Sequence, residues 1–306
     1  MTWLDELSAR VRGEIQRDAP LAPRTAIRVG GAAELLVRPA DPDALSELLR
    51  LAAELGVPVS VLGGGANTLV ADAGVRGVVL KLPQDFPETA AGETLVLAAG
   101  APIARLPARA HALGLTGMEF LGGVPGTLGG AVAMNAGTRL GEMKDIVTRV
   151  ELATARGTGF VPAADLGFAY RACRLPPGAV VTRLEVRLRP GDVAASEAAM
   201  REDREKRRRT QPLDRPTFGS TFTNPPGDFA GRLIEGVGLK GHRVGNATWS
   251  DVHANFVVNL GGATAADVLA LIRLARARVR ERFGVRLETE VRFVGEFLAG
   301  ELDWLS

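Results

Sequence analysis

Residues 57–69 of the chain read Val-Pro-Val-Ser-Val-Leu-Gly-Gly-Gly-Ala-Asn-Thr-Leu, a short apolar run that ends in three consecutive glycines. The apolar run predicts a strand from Val57 to Leu62. Before it, leucines at helical spacing predict a helix that Asp41 caps and Gly56 ends. With a short predicted strand at Ala33 to Val37, these elements define an α/β unit. The three glycines either form a nest of backbone amides for a pyrophosphate or make a flexible turn.

A second glycine-rich stretch, residues 122–137, is more specific. It reads Gly-Gly-Val-Pro-Gly-Thr-Leu-Gly-Gly-Ala-Val-Ala-Met-Asn-Ala-Gly. Flexible linkers are usually polar and serine-rich, whereas this stretch is apolar and its side chains are small. We therefore expect its backbone to pack closely against a flat aromatic ligand and its phosphates. With this much glycine, no regular element is expected between Gly122 and Gly141.

The composition of the chain restricts the class of protein. Of 306 residues, 46% are hydrophobic and 24% are charged, the net charge is +2, and Cys173 is the single cysteine. The length favours two or three domains. The near-neutral charge argues against nucleic-acid binding, and no apolar run is long enough to span a membrane. The N-terminus lacks the pattern of a signal peptide, and one cysteine suits a reducing compartment, so cytoplasm is expected.

Several common catalytic and binding motifs are absent from the sequence. It contains no Gly-Lys-Ser/Thr and no Gly-x-Ser-x-Gly. The histidines are not at metal-ligand spacing, so no metal is expected. Residues 236–241 match Gly-x-Gly-x-x-Gly, but they follow a predicted helix and not a strand. We interpret them as a helix stop with a turn and expect no Rossmann domain.

Two further patterns predict secondary structure at the ends of the chain. Trp3, Leu7, Val11 and Ile15 recur at a spacing of four, which predicts a first helix. Alternating residues from Val285 to Phe293 predict a strand that places Glu290 on its polar face.

The two glycine stretches together resemble the flavin-binding half of the FAD enzymes of the vanillyl-alcohol-oxidase superfamily. More narrowly, at least five blocks in the right order, from residues 25–31 to residues 290–293, resemble the UDP-N-acetylenolpyruvoylglucosamine reductase family. The resemblance covers nearly the whole chain. It implies an α+β protein with an FAD-binding fold in two α/β subdomains and a C-terminal substrate-binding domain.

The resemblance also implies the limits of these domains. The first FAD-binding subdomain is expected to span residues 1–70 and to be joined by the C-terminal strand 286–306. The second subdomain spans residues 71–208, and the substrate-binding domain spans residues 209–285.

Both glycine stretches are implied to hold FAD. The residues concerned are Gly63, Gly64, Gly65, Ala66, Asn67, Thr68, Gly126, Thr127, Gly129, Gly130, Asn135 and Gly137. Ala66 stands where the family usually has serine, so one side-chain hydrogen bond to the phosphates is expected to be missing. Neither stretch contains a histidine or a cysteine, and a non-covalent flavin is therefore expected.

The family reduces the enol-ether double bond of UDP-N-acetylglucosamine-enolpyruvate, with NADPH as the reductant, to give UDP-N-acetylmuramate for peptidoglycan precursor synthesis. Hydride comes from the reduced flavin, and negative charge then develops beside the substrate carboxylate. By resemblance Arg171 holds the carboxylate, Ser220 donates the proton and Glu290 supports the intermediate. A hydroxyl suffices as the acid because such a carbanion is a strong base.

Tyr170, Asn224 and Lys240 are implied substrate contacts, and residues 253–256 also match the family. Cys173 stands where the family commonly has serine. The short segment between Arg171 and Ser220 resembles the type without a loop that covers the substrate, which implies a more open pocket. A monomer is expected.

Taken without the resemblance, the same residues allow plainer interpretations. Arg171 is one arginine among 33, Ser220 suits a turn, and Glu290 suits a solvated strand face. Residues 206–209 either attract the diphosphate or form a solvated helix end. Two other functions stay open: an FAD-dependent sugar or lactone oxidase of the same superfamily, and a non-catalytic nucleotide-sugar-binding protein.

Overall fold

The computed structural model describes residues 2–305, so Met1 and Ser306, the outer limits of the predicted domains, lie outside the described residues. Seven α-helices form within this range. They are α1 (Trp3–Arg10), α2 (Pro42–Glu54), α3 (Arg105–His111), α4 (Leu128–Ala133), α5 (Val193–Thr210), α6 (Ala230–Gly236) and α7 (Ala265–Phe283).

Nineteen strands, several of only two or three residues, form in the same range. They are β1 (Gly13–Pro20), β2 (Ala32–Pro39), β3 (Val59–Val61), β4 (Thr68–Val70), β5 (Val75–Leu80), β6 (Thr89–Ala91), β7 (Thr94–Ala98), β8 (Leu115–Thr116), β9 (Gly137–Thr138), β10 (Gly141–Glu142), β11 (Val147–Thr154), β12 (Gly157–Pro162), β13 (Val180–Arg187), β14 (Arg189–Pro190), β15 (Thr217–Ser220), β16 (Arg243–Val244), β17 (Ala247–Trp249), β18 (Phe256–Asn259) and β19 (Arg292–Val294).

The strands form both parallel and antiparallel pairs. A five-stranded antiparallel sheet has the order β12-β11-β13-β7-β6, and one four-stranded sheet has the order β1-β2-β5-β3, in which β3 and β5 are parallel. A second four-stranded sheet, β15-β18-β17-β16, is antiparallel, and β19 pairs with β4 in parallel. Helices and strands of both kinds confirm the predicted α+β class.

The chain divides into two compact units, each with its own apolar core. The first contains residues 2–16, Leu35–Gly64 and Gly77–Lys206, and the second contains Arg17–Glu34, Gly65–Arg76 and residues 207–305. Fully buried side chains in the first core include Leu48, Val150 and Leu184, and in the second Leu69, Trp249 and Ile272. The predicted division into three domains stays a prediction.

The capped helices form as their sequences predict. The Asp41 side chain accepts a hydrogen bond from Ala44 N at 2.8 Å at the start of α2. Thr264 and Asp267 form a reciprocal capping box at the start of α7, and Gly284 ends that helix with φ +68°. Local hydrogen bonds suffice for these caps, which explains why the sequence alone predicts them.

Three predicted elements differ in the structure. The first helix ends at Arg10, and Ile15 lies in β1. Gly13 takes φ +142°, which is not a helical conformation, and it lies so close to the neighbouring chain that a Cβ there would be 2.2 Å from the Arg38 carbonyl oxygen. The helix therefore cannot continue through Gly13 to Ile15. The second glycine stretch contains α4, which Thr127 caps and which buries Leu128, Ala131 and Val132. The predicted strand from Val285 to Phe293 begins only at Arg292, so Glu290 lies before it.

Candidate functional site

The two glycine stretches pack backbone to backbone within the first unit. A Cβ on Gly64 would lie 2.6 Å from Gly126 Cα, and a Cβ on Gly63 would lie 2.7 Å from Thr127 Oγ1. The Lys81 ammonium donates a hydrogen bond to the Gly63 carbonyl oxygen at 2.9 Å. Glycine is required at Gly64 because the Gly126 backbone leaves no room for a Cβ, whereas a Cβ at Gly63 would displace the Thr127 hydroxyl. The structure thus brings Gly63, Gly64, Gly126 and Thr127 together.

The remainder of the second glycine stretch is anchored inside the first unit. Thr127 Oγ1 accepts a hydrogen bond from Gly130 N at 3.4 Å, and a Cβ on Gly129 would lie 2.9 Å from the Ala99 Cβ. A Cβ on Gly137 would lie 2.5 Å from the Glu142 Cβ. Protein packing therefore already accounts for the absence of a side chain at Gly129 and Gly137.

Tyr170 and Arg171 form the tip of a tight hairpin in the first unit. Ala169 and Ala172 exchange two backbone hydrogen bonds, of 2.9 and 3.1 Å. Arg171 takes φ +55°, and its Nη2 donates to the Gly137 carbonyl oxygen at 3.0 Å while its guanidinium stacks 5.1 Å from the Tyr170 ring centroid. Tyr170 is 55% exposed. The hairpin thus holds the arginine side chain against a surface that carries an exposed aromatic ring.

Cys173 follows this hairpin, at the position where the family commonly has serine. Its Sγ donates to the Leu166 carbonyl oxygen at 3.7 Å, and burial raises the pKa of the thiol to about 11. The thiol therefore stays protonated at neutral pH and acts as a weak local donor. This weak bond to Leu166 supports the segment after the hairpin.

Ser220 ends β15 in the second unit, and the residues after it are fixed on both sides. Thr221 N donates to the Asn255 carbonyl oxygen at 2.8 Å. The Asn255 side chain forms two more bonds with the Phe222 backbone, of 3.0 and 2.8 Å. Gly219 takes φ +83°, and no heavy atom lies within 4 Å of a Cβ built on it. Ser220 is therefore held on an ordered strand beside open space.

Glu290 lies against the segment that carries Ser220. Glu290 N donates to the Thr221 carbonyl oxygen at 2.8 Å. Asn67 Nδ2 donates to the Glu290 carbonyl oxygen at 3.1 Å, and Arg292 N donates to the Asn67 carbonyl oxygen at 3.0 Å. Three segments that are far apart in the sequence, those of Asn67, Ser220 and Glu290, thus form one hydrogen-bonded cluster.

Two buried oxygens in this cluster test whether the residues fit a cofactor. Among the described residues, neither Asn67 Oδ1 nor Thr221 Oγ1 has a hydrogen-bond partner, although both atoms are buried. Leaving a buried polar atom without a hydrogen-bond partner costs about 1–3 kcal/mol of stability, so a ligand or a water molecule usually bonds to such an atom. FAD carries N–H and hydroxyl donors along its length. The unpartnered Asn67 oxygen is therefore compatible with the predicted cofactor contact, whereas Ala66 adds no polar side-chain atom.

Asn224 and Lys240 lie near the two ends of α6. Asn224 Oδ1 accepts a hydrogen bond from Ala230 N at 3.0 Å, which caps the start of the helix. Lys240 Nζ lies 3.1 Å from Glu235 Oε1, and both side chains are exposed. An exposed pair of this kind contributes little stability, so the ammonium can leave it for an anion at small cost.

Sequence reasoning missed Asn255 and Lys81 as individual site-supporting residues. Asn255 appeared only inside a matching block, and its two bonds to Phe222 depend on a partner 33 residues away.

No group of acidic, histidine or cysteine side chains within residues 2–305 is arranged to hold a metal ion. The helices in that range include none with the length and apolarity needed to span a bilayer. A groove of about 580 Å³ beside α7 and Trp304 contains none of the predicted site residues.

Comparison with known proteins first identifies the class of protein. Residues 33–160 match the model described as an FAD binding domain, and this range contains both glycine stretches. The chain is therefore an FAD-binding protein, as the sequence predicted.

The particular family follows from the rest of the chain. Residues 211–294 match the model of the UDP-N-acetylenolpyruvoylglucosamine reductase C-terminal domain. The UDP-N-acetylenolpyruvoylglucosamine reductase of Anaeromyxobacter dehalogenans is 82% identical over 100% of this chain and 93% of its own length, and that of Myxococcus xanthus is 57% identical over 95% and 97%. The crystal structure of the Thermus caldophilus reductase matches with a TM-score of 0.78 at 40% identity, over 92% of this chain and 99% of that one. The chain belongs to the UDP-N-acetylenolpyruvoylglucosamine reductase family and is an FAD-dependent oxidoreductase.

Gly64→Ala is expected to abolish FAD binding. The new methyl group would overlap the Gly126 backbone, which cannot move aside like a flexible side chain. The measurement is the ratio of flavin to protein absorbance after purification. Gly159→Ala is the matched control, because no heavy atom lies within 4 Å of a Cβ at that position. Full flavin content in Gly64→Ala would show that the loop contact does not shape the cofactor site.

Protonation of His253 is expected to destabilise the second unit at acidic pH. His253 Nδ1 accepts a hydrogen bond from Asn255 N at 3.2 Å, and burial lowers the pKa of the imidazole below its ordinary value of about 6.5. The neutral form is therefore preferred in the folded state, and its contribution to stability is lost as pH falls from about 6.5 through the lowered pKa. His253→Asn keeps an acceptor and does not titrate, so its melting temperature should fall less over that range. Equal acid slopes for the two proteins would contradict this.

Proposed function

We propose that the chain catalyses the NADPH-dependent reduction of UDP-N-acetylglucosamine-enolpyruvate to UDP-N-acetylmuramate, a step of peptidoglycan precursor synthesis. One observation carries the assignment of roles. The segment of the predicted proton donor Ser220, the predicted acidic partner Glu290 and the predicted flavin ligand Asn67 belong to one hydrogen-bonded cluster. The reductase names of the full-length relatives support the substrate.

When bound, FAD would supply the hydride chemistry, with NADPH as the source of the hydride and the terminal carbon of the enolpyruvyl double bond as its destination. The Arg171 guanidinium binds the substrate carboxylate through two parallel N–H donors. These donors also stabilise the negative charge that develops on the carboxylate and the adjacent carbon.

Ser220 then completes the addition. Its Oγ–H donates a proton to the carbon beside the carboxylate, so that one hydride and one proton have been added across the double bond. The serine recovers its proton from water. Glu290 supports this step, since its own backbone N–H is bonded to the carbonyl oxygen of Thr221, the residue that follows Ser220.

The remaining predicted residues are proposed to bind the UDP-sugar. Tyr170 offers an exposed ring, Lys240 offers an ammonium in a weak surface pair for the diphosphate, and Asn224 lies at the start of α6. We also propose that the enzyme is a cytoplasmic monomer with no nucleic-acid partner, and that no loop within residues 172–219 closes over the substrate.

The purified enzyme tests this proposal. It should be yellow, and acid precipitation should release all of the flavin into the supernatant, because the FAD is non-covalent. NADPH oxidation should depend on the enolpyruvyl substrate. Flavin that stays with the denatured chain would contradict non-covalent binding. Rapid oxygen consumption with a sugar or lactone would favour the oxidase alternative, and a colourless protein would favour simple nucleotide-sugar binding.

A further inference from the structure

Asn135 was expected to contact FAD, but its side chain is turned to other protein groups. The residue is fully buried and takes φ +41°. Its Nδ2 donates to Glu142 Oε2 at 2.8 Å and to the Ala169 carbonyl oxygen at 3.0 Å. Its Oδ1 accepts from Lys144 N at 3.0 Å. A primary amide has two N–H donors, and both are used here.

These bonds connect Asn135 to the hairpin that carries Arg171. Ala169 is the first residue of that hairpin, so the Asn135 amide fixes the hairpin at its base. Gly137, two residues after Asn135, accepts the Arg171 Nη2 bond and fixes the side chain. One short segment of the second glycine stretch thus holds both the backbone and the guanidinium of the hairpin.

The other side of the amide is held by an anchored carboxylate. Glu142 forms an ion pair with Lys144. Its backbone N–H donates a hydrogen bond to Asp145 Oδ2 at 2.8 Å, which fixes the backbone of Glu142. Lys144 in turn donates its backbone N–H to Asn135 Oδ1. The Asn135 side chain is therefore oriented from two directions, and its direction toward Ala169 is determined.

We propose that Asn135 is a positioning residue that holds Arg171 in register for the enolpyruvyl carboxylate. This inference rests on the proposed role of Arg171. The left-handed backbone conformation of Asn135 is one that asparagine, aspartate and glycine adopt more readily than other residues. Asn135 thereby combines this backbone conformation with an amide that reaches the hairpin.

Two substitutions separate these two properties. Asn135→Gly keeps the backbone conformation and removes the amide bonds. Asn135→Asp keeps the shape but places acceptor oxygens opposite the Glu142 carboxylate and the Ala169 carbonyl, so its effect is expected to be larger. Asp18→Gly is the control, because Asp18 is an exposed residue with φ +48° outside the predicted site.

The experiment measures the two half-reactions of the FAD-loaded enzyme separately, by rapid mixing. With Asn135→Gly, reduction by NADPH should stay within about twofold of wild type, while reoxidation by the enolpyruvyl substrate should slow by about 10–100-fold, the cost of a misplaced group. In an Arg171→Gly background, Asn135→Gly should have little further effect, since a positioning residue acts only through its target.

The measured rates decide whether Asn135 positions Arg171. An unchanged reoxidation rate in Asn135→Gly, a slowed reduction by NADPH, or a full multiplicative effect on top of Arg171→Gly would each overturn the positioning role. If Asn135→Asp does not fold, Asn135→Gly alone carries the test. If Arg171→Gly itself leaves reoxidation unchanged, the proposed function of Arg171 fails, which is a different result from the failure of Asn135.

Discussion

Ser220→Ala is expected to leave reduction of the flavin by NADPH intact and to slow its reoxidation by the enolpyruvyl substrate by about 10²–10⁴-fold, the usual contribution of a positioned acid. The methyl group keeps the volume of the side chain and removes the one proton that the carbanion takes. The neighbouring bonds of Thr221 and Asn255 involve backbone and amide groups that the substitution does not touch.

The measurement is the decay of the reduced-flavin signal after mixing with substrate in the absence of oxygen. Ser46→Ala is the control, since the Ser46 hydroxyl only donates to the Pro42 carbonyl oxygen within α2. A Ser220→Ala enzyme with wild-type reoxidation would show that another group donates the proton.

Arg171→Gly is expected to lower substrate-driven reoxidation by about 10²–10³-fold, the effect of removing a donor that faces developing negative charge. Glycine tolerates the φ of +55° at this position better than any other residue, so the fold should not suffer. Arg171→Lys keeps the positive charge but lacks the two parallel N–H donors, so its reoxidation rate should lie between those of wild type and Arg171→Gly.

Arg28→Gly is a closely matched control, because Arg28 is an exposed arginine with φ +57°. The loss in Arg171→Gly should appear mainly in kcat, with a smaller effect on KM, because the interaction strengthens as charge develops. A rise in KM with an unchanged kcat would mean that Arg171 only binds the ground-state substrate.

The sequence predicts those parts of the fold that depend on neighbouring residues. Asp41 and Thr264 cap their helices through bonds to residues three positions away, and the helices form as predicted. Residues 122–137 were expected to lack regular structure, since glycine disfavours helices. The burial of Leu128 and Val132 overrides that preference and makes α4.

The site is predicted less completely because its decisive contacts are distant in the chain. Asn67 bonds to Glu290 across 223 positions, and no local pattern indicates this pairing. The resemblance to a family named the correct cofactor, but it could not reveal that the Asn135 amide is already occupied by Glu142 and Ala169. A match to a family motif therefore does not by itself show which group a side chain contacts; its hydrogen-bond partners in the structure are also needed.

The most direct test of the account is an anaerobic titration of the NADPH-reduced enzyme with UDP-N-acetylglucosamine-enolpyruvate. One equivalent of substrate per flavin is expected to restore the full oxidised absorbance spectrum and to yield one equivalent of UDP-N-acetylmuramate. An enzyme that stays reduced in excess substrate, and regains its colour only when oxygen is admitted, would contradict it.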